Sequence, residues 1–216
     1  MPQRAKAKSG RDGATPARPA LSREFVAAHK RRRIMDAIAE LTAEQGYDAT
    51  KIGDIVRRAG VARKTLYDNF EGKEDVFLAA FDTAVDEAIQ HIEAECAAVD
   101  GDWQEQLQAG LSSFLRYVAE NPALARMCMI EALSATVAAS ERHEAAMQRF
   151  VELIKLIVPR DDRLPETTEE TLIGGVAWIV YQQIRRGAAE RAEDLLPELT
   201  EFMLAPFQDA AGSAST

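Results

Sequence analysis

The sequence predicts an all-α fold, with a three-helix head over residues 22–72 and a longer helical body over 73–206. Three observations carry this. Residues 46–73 read as two short helices meeting at a tight glycine turn. After Lys73, apolar residues recur at helical spacing and are interrupted only by short breakers. The charge also divides: residues 1–73 hold 16 Lys+Arg against 9 Asp+Glu, whereas residues 74–216 hold 10 against 26. A net charge of −9 argues against a polyanionic partner, but a basic front end on an acidic body does not.

Residues 1–21 contain three prolines, two glycines, five Lys+Arg and one acid, without apolar periodicity. Such a segment cannot repay its ordering entropy by burial and is expected to be a disordered basic arm. The first helix is expected from an N-cap at Ser22 to a stop at Gly46, with Ile34, Ile38 and Leu41 as its core stripe. Its run Lys30-Arg31-Arg32-Arg33 spans a full turn, so its charges splay. One or two of them would meet phosphate while the others are solvated. In the second helix Ile52, Ile55 and Val56 lie at i, i+3 and i+4, with Gly53 an unhelpful helix former. Gly60 stands where a positive φ is needed, and the third helix runs from Arg63 to about Asn69. This is a helix-turn-helix, whose second helix enters the major groove of DNA.

The body follows in order. A fourth helix over about 73–99 places Phe77, Phe81, Val85, Ala88 and Ile92 on one face, and Asp100-Gly101-Asp102 breaks it. A fifth, over about 103–120, turns Leu107, Leu111, Phe114, Leu115 and Val118 inward and ends at Asn121-Pro122. Pro122 opens a sixth. A seventh starts or kinks near Ser140 and ends at Pro159. Residues 160–165 form a loop, and Thr167 or Thr168 caps an eighth helix reaching about Gly187. The ninth covers about 190–205 and stops at Pro206, leaving a frayed tail over 207–216.

Composition bounds the function. A chain of 216 residues, 47% hydrophobic, buries one good core and a small satellite domain. No apolar run approaches the ~18 residues of a membrane span, and the N-terminus lacks the apolar stretch of a secretory signal. Cys96 and Cys128 suit a reducing cytoplasm and pack as small apolar residues, without metal-ligand spacing. No cofactor is expected. Glycine-rich phosphate loops, G-x-S-x-G and H-E-x-x-H are all missing from the sequence, which makes an enzyme a poor reading.

Gly46-Tyr47, Thr50, Asp54-Ile55, Ala59-Gly60-Val61, Thr65-Leu66-Tyr67, Phe70 and Lys73 together resemble the DNA-binding domain of TetR-family transcriptional regulators. The resemblance covers the first helix to the start of the fourth. Beyond it, only length and helical order match. It implies a homodimer, each subunit a DNA-binding head on a helical ligand-binding and dimerisation domain. By the same resemblance Thr50 caps the second helix and contacts phosphate. Tyr67 and Lys73 are further phosphate contacts, and Lys51 is taken with them as a DNA-binding residue. Arg63, Lys64 and Thr65 lead the recognition helix. Two residues depart from the pattern: Ala62 replaces the usual serine N-cap, and Lys64 stands where glycine is common.

The dimer interface implied by the family lies on the eighth and ninth helices, and the sequence fits independently. Leu172, Val176, Ile179 and Val180, with Ile173 and Ile184, make the eighth helix apolar over more than one face, while Gly174-Gly175 would let a partner helix approach. Leu195, Leu199 and Phe202, with Leu196 and Met203, do the same for the ninth. A ligand pocket is expected among Phe81, Trp103, Leu107, Leu111, Phe114, Tyr117, Met127, Met147, Phe150, Trp178 and Tyr181. His91, His143 and Glu131 are candidate polar handles. The functional expectation is a dimeric repressor that a small-molecule effector releases from its operator. The alternative is a ligand-independent or nucleoid-associated regulator controlled by a protein partner.

Overall fold

The computed structural model describes residues 23–212, with side-chain surroundings for 25–208. The basic arm, the Ser22 cap and the last four residues lie outside the described residues. All regular structure among those described is helical. The head consists of α1 (Arg23–Gln45), α2 (Ile52–Ala59) and α3 (Arg63–Tyr67). Gly46 and Gly60 end α1 and α2 at φ 82° and 61°, the left-handed conformation expected of them. The body begins with α4 (Lys73–Ala98) and α5 (Trp103–Glu120), the latter capped by the Asp102 carboxylate, which accepts from the Glu105 N–H at 3.0 Å. Pro122 opens α6 (Pro122–Arg126), which passes through a π-helical turn, Met127–Glu131, into α7 (Ala132–Ala135). Then come α8 (Val137–Ile157), α9 (Thr168–Arg185), a 3₁₀ segment (Ala189–Leu195) and α10 (Leu196–Gly212).

Two boundaries differ from the sequence expectation, and a third, the start of α9, falls as expected without the expected cap bond. α8 starts at Val137, because Thr136 and not Ser140 is the N-cap, its hydroxyl accepting from the Ala139 N–H at 3.1 Å. Thr167 sits at the N-cap of α9 without a side-chain cap bond, while the Thr168 hydroxyl donates to the Pro165 carbonyl at 2.7 Å. Pro206 does not stop the last helix, which continues to Gly212. Proline frees the carbonyl four residues back, that of Phe202, a residue on an exposed face of the helix. One residue on, Phe207 is buried against the Trp103 ring, centroids 5.2 Å apart, and holds the chain in helix.

Two apolar clusters divide the interior. One joins Ile34, Ile38, Ile55, Leu66 and Phe70 of the head to Val76, Phe77 and Phe81 of α4 and to Met127 in the π turn. The head therefore shares its core with the body's first helix. The other packs Leu107, Leu111 and Leu115 of α5 against Ile154, Leu172, Val176, Val180, Leu199 and Met203. Among the described residues no helix is long and apolar enough to cross a membrane, and no cluster of His, Cys, Asp and Glu could hold a metal ion.

Candidate nucleic-acid interface and apolar cavity

α3 is only five residues long and begins at Ala62 without a side-chain cap, so tertiary contact holds it in place. Leu66, with no exposed surface, is its anchor in the core. That leaves Arg63, Lys64 and Tyr67 exposed on the opposite face, with Thr65 half-buried. The Arg63 guanidinium lies 5.7 Å from the centre of the Tyr67 ring, and its Nη2 donates to the Tyr67 hydroxyl at 3.4 Å. This stacking presets the arginine fork on the outer face of the helix. Lys51, at the N-cap position of α2, is also exposed.

Two residues matched to phosphate contacts are committed to internal bonds. Thr50 is buried, and its hydroxyl donates to the Gly46 carbonyl at 2.8 Å. It does not cap α2, whose N-cap is Lys51. Lys73 opens α4 as expected, but its Nζ donates to the Tyr47 carbonyl at 3.0 Å and lies 3.8 Å above the Tyr47 ring centre. The three arginines of the run on α1 likewise make bonds within the molecule. Arg31 covers the Phe70 ring at 4.3 Å and donates to the Asn69 carbonyl, while Arg33 donates to the Gly60 carbonyl at 3.4 Å. Arg32 pairs with Asp36 at 2.9 Å and, through both terminal nitrogens, with Glu87 of α4. Arg31 and Arg32 tie α1 to the end of α3 and to α4, while Lys30 and Arg33 stay exposed, Arg33 with its bond to Gly60 at the surface.

Behind the head, the body holds a partly open cavity of about 140 Å³ between α4, α5, α6, the π turn, α8, α9 and α10. That is close to the ~150 Å³ of an apolar cavity that stays dry and binds benzene. Phe81, Leu107, Leu111, Phe114, Tyr117, Met147 and Phe150 line it, as the sequence suggested. Four other candidates do not. Trp103 is engaged by Phe207, and Met127 is fully buried in the cluster shared with the head. Trp178 and Tyr181 stack on each other at 5.5 Å between ring centres, with Trp178 58% exposed. The lining residues that sequence reasoning missed are mostly small or aliphatic, including Ala84, Ala88, Gly110, Met129, Ile154 and Val176. The available signal was the small residues on the facing sides of α4 and α5, where space arises from missing side-chain volume.

The polar groups at the cavity are few and tied back. The Tyr117 hydroxyl donates to Glu87 Oε2 at 3.1 Å, and burial followed by the Glu87 charge pushes that phenol up. Glu87 is also the partner of Arg32, so a cavity wall is joined to α1 through two side chains. Cys128 lines the cavity as well, and burial pushes its thiol up to about 12, which leaves it protonated and unreactive. A second link runs through the π turn. Met129 faces the cavity, and two residues on, Glu131 accepts from the Tyr47 N–H at 3.3 Å and pairs with Arg126 at 3.6 Å. Tyr47 packs edge-on against Phe77 at 5.1 Å. Of the three polar handles considered, His143 lines the cavity, Glu131 serves this joint, and His91 packs against Tyr117.

The expected interface helices show two different faces. Leu172, Val176, Val180 and Leu199 are buried within the subunit and Leu195 packs against the same cluster, so these five do not form a surface. The exposed large side chains there are Trp178, Ile179 and Phe202. Gly175 is not open to a partner helix, because a Cβ there would fall 2.8 Å from the Phe202 ring; Gly174 faces open space.

Residues 34–80 match the family model described as bacterial regulatory proteins, tetR family. Over 66 residues the chain is 35% identical to the fatty acid metabolism regulator protein of Bacillus subtilis (strain 168), covering 31% of this chain and 34% of that protein. It is 26% identical over 89 residues to the HTH-type transcriptional activator FasR of Mycolicibacterium smegmatis, covering 41% and 40%. The alignments thus span about a third to two-fifths of the curated relatives they match. In fold, the chain superposes on the fatty acid degradation regulator FadR of Bacillus halodurans with a TM-score of 0.74 at 19% identity, over 81% of this chain and 94% of that one. FadR of Bacillus subtilis, solved in complex with stearoyl-CoA, gives a TM-score of 0.66 at 20% identity, over 80% and 96%. All four of these proteins are named as regulators, two of them as transcriptional ones.

Proposed function

We infer, from residues 34–80 matching the model of bacterial regulatory proteins of the tetR family, that the chain is a sequence-specific DNA-binding transcriptional regulator. It acts as a homodimer on a duplex operator, and a small apolar effector in the cavity between α4 and α9 releases it. The observation carrying this reading is that one rigid set of contacts joins cavity to head. The Tyr117–Glu87–Arg32 chain and the Glu131–Tyr47 bond both begin in the cavity's surroundings and end in the head, the first on α1 and the second in the turn between α1 and α2. An occupant that spreads the walls shifts the population toward head positions that no longer fit two half-sites. The lining admits an alkyl or acyl chain far better than a charged molecule, which agrees with acyl compounds as the effector class. The stearoyl-CoA complex of a fold relative supports the same class.

Selection of bound sequences from a random duplex library, at two salt concentrations, tests this. The expected result is a palindrome with half-sites about one turn or more apart. Recovery of no motif, with binding lost steeply in salt, would favour a nucleoid-type protein instead. Repeating the selection with a medium-chain acyl compound should deplete the bound fraction.

The operator also separates base from backbone contacts. Arg63→Ala is expected to cost about 1–3 kcal/mol and to relax preference at one base position. Lys51→Ala should weaken binding evenly across sequences and lower the salt slope by about one. Identical behaviour of the two variants, measured by fluorescence anisotropy, would refute this division.

A further inference from the structure

The polar atoms of the cavity are so few that each one constrains what can bind. Among the described residues lining it, Tyr117 alone carries a side-chain oxygen and His143 alone a side-chain nitrogen. The Tyr117 proton is already given to Glu87. His143 Nδ1 lies 3.1 Å from the Cys128 carbonyl, which can only accept, so Nδ1 carries a hydrogen. The ring's other nitrogen, Nε2, has no partner among the described residues. His143 is half-buried at the cavity, and in the neutral ring Nε2 is an acceptor open to a group that brings a proton.

We propose that His143 fixes the polar end of the effector, and that the cavity selects an apolar monocarboxylic acid over an ester or thioester. The proposal rests on the cavity being the effector site. An acid brings one proton to share: its O–H donates to Nε2, or the proton crosses and leaves an imidazolium beside a carboxylate. Either arrangement is neutral as a pair, so no net charge enters the apolar lining. An ester or thioester oxygen can only accept. Against neutral His143 it places two acceptors face to face, and against protonated His143 it brings an uncompensated charge into the cavity. The nearby arginines of α8 do not offer a competing anchor, since Arg142 is paired with Asp82 and Arg149 with Asp86 at 2.8 Å. The bond to Cys128 fixes the ring against the π turn, so the residue that reads the ligand's end also touches the segment leading to Glu131.

The test is titration calorimetry of the full chain with decanoic acid, 1-decanol and methyl decanoate, on the natural protein and on His143→Leu and His143→Gln. The glutamine variant retains a donor for the Cys128 carbonyl, and operator binding without ligand serves as the control for folding. The expected result is acid binding on the order of 10- to 100-fold tighter than ester binding, as for a hydrogen bond with charged character. In His143→Leu that preference should vanish, acid affinity falling toward that of the ester. The carbonyl resonance of ¹³C-labelled decanoic acid should also move between the natural and His143→Leu complexes. Equal binding of acid and ester by the natural protein, or a preference that survives both substitutions, overturns the role of His143 and leaves the cavity reading standing. Failure of all three probes to bind the natural protein overturns the cavity reading and this inference together.

Discussion

Ile179→Glu is expected to convert the chain to a monomer in light scattering and to lower operator affinity by about 10²- to 10⁴-fold. Ile179 is 36% exposed and sits beside Trp178 and Phe202, exposed to 58% and 41%. Three large apolar side chains gathered on two adjacent helices form a surface patch of the kind that marks a protein interface. A carboxylate placed in its centre would be buried without a partner on association, a cost that disfavours the pair. The affinity loss follows from linkage and not from any lost DNA contact. Two heads joined in a dimer bind the second half-site as an intramolecular event, an advantage worth that range. Val176→Glu is not an equivalent experiment, because Val176 is buried and lines the cavity, so its substitution attacks the fold. A dimer that persists in Ile179→Glu would move the interface off α9 and α10.

Leu66→Ala is the second large effect, and it separates the fold of the recognition helix from its chemistry. Removing this fully buried side chain should cost about 2–5 kcal/mol. The loss falls on a helix too short to persist alone and without a side-chain cap, so the head loses its ordered reading surface first. Denaturation should show the reduced stability, and binding should fall for every duplex, cognate or not. In Arg63→Ala, by contrast, stability should hold and only discrimination should suffer. Wild-type melting and binding in Leu66→Ala would mean that α3 is held by something other than its core contact.

Much of this architecture was legible from local chemistry. Gly46 and Gly60 end their helices with positive φ because few other residues tolerate it, and Pro122 opens α6 for the converse reason. Pro206 misled because the decision there is tertiary: burial of Phe207 outweighs one missing backbone bond. Of the basic run on α1, Lys30 and Arg33 are exposed as expected, but a sequence does not show that Glu87 lies across from Arg32. Helical periodicity found the apolar character of α9 and α10 but could not say which face looks inward, and five of the seven residues chosen for the interface belong to the subunit's own core. The outward face of α3 was the most legible part of the head, because Leu66 buries one side of the helix and leaves Arg63, Lys64 and Tyr67 exposed.

The bond from the Tyr47 N–H to Glu131 makes one backbone hydrogen of the head answerable to the body. Its deuterium uptake is therefore a clock for the joint: it runs at the rate at which Glu131 lets go, whatever the stability of the head itself. The Leu66 N–H, bonded to the Ala62 carbonyl within the head, keeps separate time. Filling the cavity should change the Tyr47 rate and leave that of Leu66 alone, and Glu131→Ala should quicken Tyr47 with the cavity empty. If both amides respond together, the head loosens as a whole; if neither does, the π turn is a wall and carries no message.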